Sequence, residues 1–318
     1  MVCYHPLEGF RSRDLSPNGK RKIVFQASEG FVDLPVTVPC GQCLGCRLER
    51  SRQWAIRCVH EASLYENNCF ITLTYAEQPN PANSLHMPDF QDFMKRLRKK
   101  YVPKNPYPAG HTDRDPWQLK NGIRFYHCGE YGEENSRPHY HACLFNHDFP
   151  DKILWKNIRD NPLYISEELT SIWGQGHATT GAVTFQSAAY VARYIMKKIT
   201  GEAANDHYIH VSPDGQVYDR EAEYTTMSRR PGVGAPWLEK FKTDVYPDDF
   251  IVLDNRKMRV PRFYDGLLEK HAEDEIKKIK RDRKKSSHKH KENNTPARLK
   301  TREKIQLHKL NQLKRNLD

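Results

Sequence analysis

The chain has 318 residues, with a hydrophobic fraction of 37% and a charged fraction of 29%, which suits one large soluble domain with appendages. Its apolar runs are shorter than the ~18 residues of a membrane span, and its first residues do not resemble a signal peptide. We therefore expect a protein with no membrane partner that stays in the cytosol where it is made. Its 8 cysteines are then expected to be thiols or metal ligands.

The formal net charge of +11 is concentrated at the C-terminal end. Residues 270–318 contain 17 Lys and Arg against 7 Asp and Glu, whereas the rest of the chain carries 34 against 33. A basic tail of this kind favours nucleic acid as a partner over a solvated extension that only aids solubility.

The first elements are predicted in chain order from periodicity and composition. Residues 1–46 are rich in Pro, Gly and Cys and show little periodicity, and an amphipathic helix is predicted over Leu48–Tyr65. The apolar, β-branched stretch Cys69–Tyr75 predicts a buried strand. Pro88–Lys100 predicts a helix, because proline stands at its start, acids follow early and bases come late. Residues 101–122 hold four prolines and two glycines and are expected to form a loop.

The next elements begin with two predicted strands, Ile123–Tyr131 and His139–Phe145, joined by a polar turn. They are followed by a short helix over 166–173, a strand near Ala178–Phe185 and a helix over Ser187–Ile199. The order is strand, helix, strand, strand, helix, strand, with one extra helix. It predicts an α+β, ferredoxin-like (RRM-like) fold with a central antiparallel sheet and helices on one face.

Composition divides the chain into four predicted regions. They are a Cys-rich N-terminal segment and helix (1–66), the α+β core (67–204), a C-terminal extension with Gly and Pro punctuation (205–269), and a basic tail (270–318). The tail is expected to be helical in parts or disordered.

The strand RPHYHACLF (Arg137–Phe145) carries two histidines one residue apart. Alternation in a strand places His139 and His141 on the same face, and a hairpin could bring Glu130 beside them. Glu133 and Glu134 lie nearer the turn and are less well placed. Two imidazoles and one carboxylate leave coordination positions open, as a catalytic divalent metal requires. Mn²⁺ or Mg²⁺ suits this ligand set, and Zn²⁺ would also fit.

The helix AYVARYIMKK (Ala189–Lys198) has a polar and an apolar face. At 100° per residue, Tyr190, Tyr194 and Lys197 fall in a wedge of roughly 60°, opposite an apolar arc. Half-buried packing residues would lie on the apolar arc, so this placement favours a chemical role for the phenols.

A phenol is a poor nucleophile at its usual pKa near 10, but a metal-polarised phosphate and a nearby lysine would assist its attack. Tyrosine attack on a DNA phosphodiester gives a 5′-phosphotyrosine bond and a free 3′-OH. The bond energy is kept, so strands can be rejoined without ATP. Two tyrosines one helical turn apart would allow successive cleavages.

The run CGQCLGC (Cys40–Cys46) has two overlapping C-x₂-C spacings, which in a cytosolic protein favour a metal over disulfides. A closed zinc site needs a fourth ligand beside Cys40, Cys43 and Cys46. Cys3 is the first choice, and His5 is the alternative. An iron–sulfur cluster or reduced thiols in a loop remain open alternatives. Four further cysteines lie in predicted helices or strands and are expected in the core: Cys58, Cys69, Cys128 and Cys143.

Three segments resemble, in the same order, the motifs of HUH endonucleases: FITLTY (Phe70–Tyr75), RPHYHACLF (Arg137–Phe145) and YVARYIMKK (Tyr190–Lys198). The paired tyrosines resemble the two-tyrosine branch of rolling-circle initiators. Four more segments are similar to the replication initiators of gokushoviruses, which are single-stranded DNA phages of the Microviridae. These segments are CYHP (Cys3–Pro6), PCGQCLGCR (Pro39–Arg47), RQWAIRC (Arg52–Cys58) and MSRRPGVG (Met227–Gly234). The resemblance covers most of residues 1–265 and leaves the basic tail outside.

The resemblance implies a rolling-circle replication initiator that nicks and joins single-stranded DNA at the viral origin, in the cytoplasm of the bacterial host. It implies His139, His141 and Glu130 as ligands of the catalytic metal. Tyr190 and Tyr194 would be the nucleophiles, with support from Lys197 or Lys198. Thr72 and Thr74 would lie near the bound DNA strand. The sequence lacks a G-x-x-x-x-G-K-[ST] phosphate loop, so a host helicase and DNA polymerase are expected as partners.

Two rival functions are kept. One is a transposase or relaxase with the same strand-transfer chemistry, against which the gokushovirus-like cysteine and MSRRPGVG segments argue. The other is a non-catalytic, zinc-stabilised protein that binds single-stranded nucleic acid mainly through its tail. The second function leaves the two tyrosines and the Glu–His–His set unexplained.

Overall fold

The computed structural model describes residues 3–17, 19–80, 82–132, 136–158, 161–193, 203–212 and 214–312. The chain divides into two compact units. Unit 1 consists of residues 1–50 and 272–318, and unit 2 consists of residues 51–271. Each unit is described by itself.

Unit 1 begins with an antiparallel sheet in the strand order β2-β1-β3. Its strands are β1 (Leu7–Leu15), β2 (Arg21–Val24) and β3 (Gly30–Val38), followed by helix α1 (Leu44–Ala62), which continues into unit 2. The sequence patterns predicted no element before residue 46. Most side chains of this sheet are exposed, so no alternation of apolar and polar residues indicates the strands.

Unit 2 contains an antiparallel sheet which, within the described residues, has seven strands in the order β12-β5-β6-β4-β9-β8-β7. Its strands are β4 (Asn68–Tyr75), β5 (Arg124–Tyr131), β6 (Pro138–Phe145), β7 (Ile153–Ile158), β8 (Asn161–Ile165), β9 (Gly176–Gly181) and β12 (Tyr224–Met227). Two short hairpins complete the strands: β10 (Ile209–Val211) with β11 (Val217–Asp219), and β13 (Ile251–Leu253) with β14 (Arg256–Met258).

The helices of unit 2 are α2 (Met87–Tyr101), α3 (Arg114–Asn121), α4 (Glu167–Trp173), α5 (Phe185–Arg193), α6 (Ala203–His207), α7 (Ala235–Lys240) and α8 (Arg262–His271). Unit 1 ends with the helices α9 (Glu273–His288) and α10 (Pro296–Gln312), so the basic tail is largely helical up to residue 312. None of the helices in the described ranges is long and apolar enough to cross a membrane.

The predicted order of strands and helices is confirmed through β4, α2, β5, β6, α4 and β9. Within the sheet these four strands lie side by side as β5-β6-β4-β9. The sequence patterns did not predict the β7–β8 hairpin, nor helix α3 inside the expected loop. Pro116 lies in the first turn of α3, where a missing N–H costs no hydrogen bond, so proline counts hid this helix.

The boundary between β9 and α5 differs from the prediction. The strand ends at Gly181 rather than near Phe185, and the helix begins at Phe185 rather than Ser187. Thr184 and Ser187 cap the helix reciprocally: the Ser187 N–H donates to Thr184 Oγ1 at 3.1 Å, and the Thr184 N–H donates to Ser187 Oγ at 2.8 Å.

Helices cover both faces of the large sheet, so the prediction of helices on one face was wrong. Ile71, Leu73 and Tyr140 point to the face covered by α2 and α4, with Trp173 of α4 in that core. On the other face, Cys143 and Phe145 lie in a second core with residues of α1 and α5. Strand alternation explains this, because β6 is apolar on both faces near its end and needs cover on both.

Candidate active site

The register of the β5–β6 hairpin brings three side chains to one face of the sheet. Glu130 is paired directly with His139, and His141 lies two residues further along β6. The Nε2 atoms of His139 and His141 are each 2.8 Å from Glu130 Oε1. The side chains therefore form a compact group able to hold a metal ion. Glu133 and Glu134, the other carboxylates considered from sequence, lie outside the described residues.

Neighbouring groups fix the orientation of both imidazoles. The Nδ1 of His139 is 3.1 Å from the carbonyl oxygen of Arg137, which can only accept, so Nδ1 donates and the Nε2 lone pair faces Glu130. The Nδ1 of His141 is 2.9 Å from Thr72 Oγ1. Such outer partners hold metal-binding histidines in place. Lone pairs on two nitrogens and a carboxylate oxygen meet here, and a cation between them would offset their repulsion.

The carboxylate of Glu130 is almost fully buried, with 1% of its surface exposed. Burial acts to raise the pKa of Glu130, but the hydrogen bonds to His139 and His141 outweigh burial and lower its pKa below the usual value. Glu130 is therefore a charged, hard oxygen ligand at neutral pH.

Tyr190 of α5 lies against the same group. Its ring meets that of His141 edge-on at a centroid distance of 5.1 Å, and that of Phe70 at 6.4 Å. Ser51 Oγ of α1 donates to the carbonyl oxygen of Ala189 at 2.9 Å and so fastens α5. The neighbouring Val191 is fully buried, and Tyr190 is half-buried. The helix thus buries its apolar side and directs a phenol to the Glu–His–His face.

The described part of α5 ends at Arg193. Tyr194, Lys197 and Lys198 lie outside the described residues, so the wedge predicted from helical spacing is placed through Tyr190 alone.

Comparison with known proteins connects this chain to phage replication. The family described as "Replication-associated protein ORF2" matches residues 68–199, the stretch that holds the Glu–His–His group and Tyr190. The "Replication-associated protein VP4" of Bdellovibrio phage phiMH2K is 30% identical over 275 residues, covering 85% of this chain and 78% of the relative. The chain belongs to the family of gokushovirus-type phage replication-associated proteins.

Two further members of this family are similar to the chain. The "Replication-associated protein ORF2" of Spiroplasma virus 4 is 30% identical over 253 residues, which cover 76% of this chain and 70% of the relative. The "Replication-associated protein ORF4" of Chlamydia phage 1 is 26% identical over 238 residues, which cover 73% of this chain and 54% of the relative. No solved structure matches the chain significantly.

The two threonines of β4 have different neighbours in this replication-associated protein. Thr72 is paired with His141 across the strands and contacts its Nδ1, whereas Thr74 Oγ1 donates to the carbonyl oxygen of His177 at 3.1 Å. The sequence predicted both threonines as DNA contacts and gave no sign of the contact between Thr72 and His141. Only the register between β4 and β6 places Thr72 there, and single-sequence patterns do not specify that register.

The N-terminal cysteines form a second group. The sulfur atoms of Cys3, Cys40, Cys43 and Cys46 all lie within 4.8 Å of one another. His5, the alternative fourth ligand, instead places its Nε2 2.8 Å from Glu303 Oε2. Cys58, Cys69, Cys128 and Cys143 are buried.

The sulfur atoms of the N-terminal group have different electrostatic surroundings. Burial acts to raise the pKa of Cys43, but backbone N–H groups of Tyr4 and Cys46 outweigh it and lower the pKa to about 6. Burial raises the pKa of Cys46. At neutral pH the group therefore already contains a thiolate, the form in which cysteine binds metals.

Proposed function

We propose that this protein initiates rolling-circle replication by cutting and rejoining one DNA strand at the viral origin, as an HUH endonuclease on a ferredoxin-like core. The observation that carries the proposal is the edge-on contact between Tyr190 and His141, 5.1 Å between ring centroids, beside the Glu130–His139–His141 group. The family's link to phage replication supports the choice of DNA as substrate.

In this proposal Glu130, His139 and His141 hold the divalent metal, Mn²⁺ or Mg²⁺. The bound ion would polarise the scissile phosphate and stabilise the charge that develops on its oxygens. Their fit to such an ion rests on three ligating atoms with open coordination positions and on a carboxylate that stays charged at neutral pH. Arg137 and Thr72 hold the two imidazoles so that each Nε2 points inward.

Tyr190 would act as the nucleophile. Its phenolate oxygen attacks the phosphorus atom, forms a 5′-phosphotyrosine bond and releases the 3′-oxygen, which takes up a proton as a 3′-OH. Tyr194 would perform the second cleavage, with Lys197 or Lys198 stabilising the phenolate. Thr74 would contact the bound strand from the edge of the same face.

The partners follow from the same chemistry. Nicking supplies a 3′-OH primer but separates no strands, and the sequence has no nucleotide-binding phosphate loop. We therefore propose single-stranded origin DNA as the direct partner, a host helicase and DNA polymerase as later partners, and the cytoplasm of the bacterial host as the site of action.

The test is a covalent capture assay. The full chain is incubated with labelled single-stranded DNA covering the phage genome in overlapping segments, with Mn²⁺, with Mg²⁺ and with EDTA. We expect a denaturation-resistant adduct that requires metal and that peptide mass spectrometry maps to Tyr190 or Tyr194. Tyr190→Phe should lower its yield, whereas the matched Tyr218→Phe in the β10–β11 hairpin should leave the yield unchanged.

The non-catalytic alternative is supported by the concentration of charge in one unit. Unit 1 carries 23 Lys and Arg against 12 Asp and Glu, which is the whole net charge of +11, and unit 2 carries 28 against 28. If DNA is bound but stays uncut across all segments, and if the double variant Tyr190→Phe, Tyr194→Phe binds as the parent does, the binding function replaces the nuclease.

A further inference from the structure

Unit 1 has very little apolar core of its own. Among its described residues the buried hydrophobic side chains are Cys3, Ile276, Ile279 and Leu299. The strands of its sheet expose most of their apolar residues, including Leu15 at 60% and Val32 at 60%. A small unit that buries so little apolar surface needs another source of stability, such as a bound metal or disulfides.

The cysteine group lies at the open end of this sheet. Leu7 and Val38 form the last pair between β1 and β3, and the chain leaves that pair towards Cys3 on one side and Cys40 on the other. Cys43 and Cys46 follow at the start of α1. The four sulfur atoms therefore join the two ends of the sheet to the beginning of the helix.

The separations between sulfur atoms fit one tetrahedral ion. A Zn–S bond of about 2.3 Å places neighbouring sulfurs of a tetrahedron about 3.8 Å apart. Cys3 Sγ is 3.6 Å from Cys40 Sγ and 3.9 Å from Cys43 Sγ. A disulfide would need about 2.05 Å between two sulfurs.

Backbone amides surround the sulfur atoms as they do in metal–thiolate sites. Three N–H groups donate to sulfur at 3.3 Å each: Tyr4 to Cys43, Cys40 to Cys3, and Cys43 to Cys40. These contacts orient the sulfurs inward and spread the negative charge that four thiolates bring to a cation.

Helix α10 lies beside the same segment. His5, two residues after Cys3, contacts Glu303 of α10 at 2.8 Å, and Leu299 of α10 is buried. The first residues of the chain and the last described helix thus meet close to the cysteine group within unit 1.

We propose that Cys3, Cys40, Cys43 and Cys46 bind one Zn²⁺ in a closed structural site, which clamps the open end of the N-terminal sheet to the start of α1. Four protein ligands complete a tetrahedral shell and leave no position for water or substrate, so this ion takes no part in catalysis. Its binding energy contributes directly to the folding of unit 1. The proposal does not rest on the nicking function.

The first test is the metal content of the full chain, purified from zinc-supplemented cells and dialysed against a weak chelator. We expect about one zinc ion per chain by elemental mass spectrometry. Cys43→Ser should lower this content about ten-fold or more. Two controls should keep it: Cys69→Ala, which removes a thiol outside the group, and His139→Ala with His141→Ala, which removes the other candidate metal ligands.

The second test avoids dependence on a variant that fails to fold. The wild-type chain loaded with Co²⁺ should show intense sulfur-to-cobalt charge-transfer absorption, and trypsin should cut at Arg11, Arg13 and Arg21 much faster after zinc removal. Iron in place of zinc, a wild-type chain without metal, a disulfide among the four cysteines, or cleavage that zinc does not slow would each overturn the proposal. Loss of nicking with zinc retained would count only against the proposed nuclease.

Discussion

At the scale of single residues, the imidazole of His141 is the most tightly specified group of the candidate site. It contacts Glu130 through Nε2, Thr72 through Nδ1 and Tyr190 through its ring. Each contact comes from a different strand or helix, so the position of one ring depends on β4, β5, β6 and α5 together. Replacing any of these neighbours should therefore affect a metal site that the histidine itself still offers.

Thr72→Val tests this dependence with little change in side-chain volume. Because valine has no hydroxyl to bond His141 Nδ1, we expect Mn²⁺ affinity to fall about ten-fold, as measured by calorimetry on the full chain. Thr74→Val is the matched control, since Thr74 Oγ1 contacts the carbonyl of His177 instead. Equal affinities in both variants would mean that Thr72 does not orient the ligand.

The sequence identified most of this site at the residue level. H-x-H spacing placed two imidazoles on one face, and Glu130 was chosen over Glu133 and Glu134 from its position in a strand. The register that pairs Glu130 with His139 had to be assumed, because hairpin register depends on the turn and on burial of the opposite face. The role of Thr72 depends on pairing with a strand far away in sequence and was missed for that reason.

At the scale of elements, a buried ion pair joins α1, β5 and the segment MSRRPGVG. Arg124 Nε donates to Glu61 Oε1 at 2.5 Å, and Arg124 also donates to the carbonyl of Pro231 at 2.9 Å. Glu61 Oε2 accepts the N–H of Gly234 at 2.6 Å. Glu61 is fully buried and Arg124 nearly so. This family-like segment therefore has a structural role behind the sheet.

Arg124→Met should destabilise unit 2 strongly. The change leaves the carboxylate of Glu61 buried without its cation, and breaking a buried pair from one side costs about 3–5 kcal/mol. Urea unfolding followed by tryptophan fluorescence measures the change. Lys95→Met is the control, because Lys95 pairs with Asp92 on the exposed side of α2, where such a pair contributes about 0–1 kcal/mol. A similar loss in both variants would contradict the role of the buried pair.

At the scale of the whole molecule, charge is separated between the two units. The +11 of unit 1 and the neutrality of unit 2 predict that unit 1 supplies most of the affinity for DNA backbone. Lys284→Glu with Lys285→Glu on α9 should weaken binding of single-stranded DNA. The same change should reduce the salt dependence of binding by about 0.7 in log–log slope for each phosphate that is no longer neutralised.

Fluorescence anisotropy over a series of salt concentrations measures this slope for the full chain. Lys99→Glu with Lys100→Glu at the end of α2 in unit 2 makes the same change in net charge and is the control. If both double variants lose affinity and slope equally, the charge acts through the whole protein rather than through unit 1.

The order of the core strands and helices, the ligand-forming residue types and the uneven charge could all be predicted from the sequence. These features follow from local properties: two-residue and 3.6-residue periodicity, short-range spacing and composition. Three others required the folded chain: which faces of the sheet are covered, where Thr72 and Tyr190 meet His141, and how Cys3 joins Cys40. Those contacts join residues distant in the chain, and they depend on strand register and on the packing of whole elements.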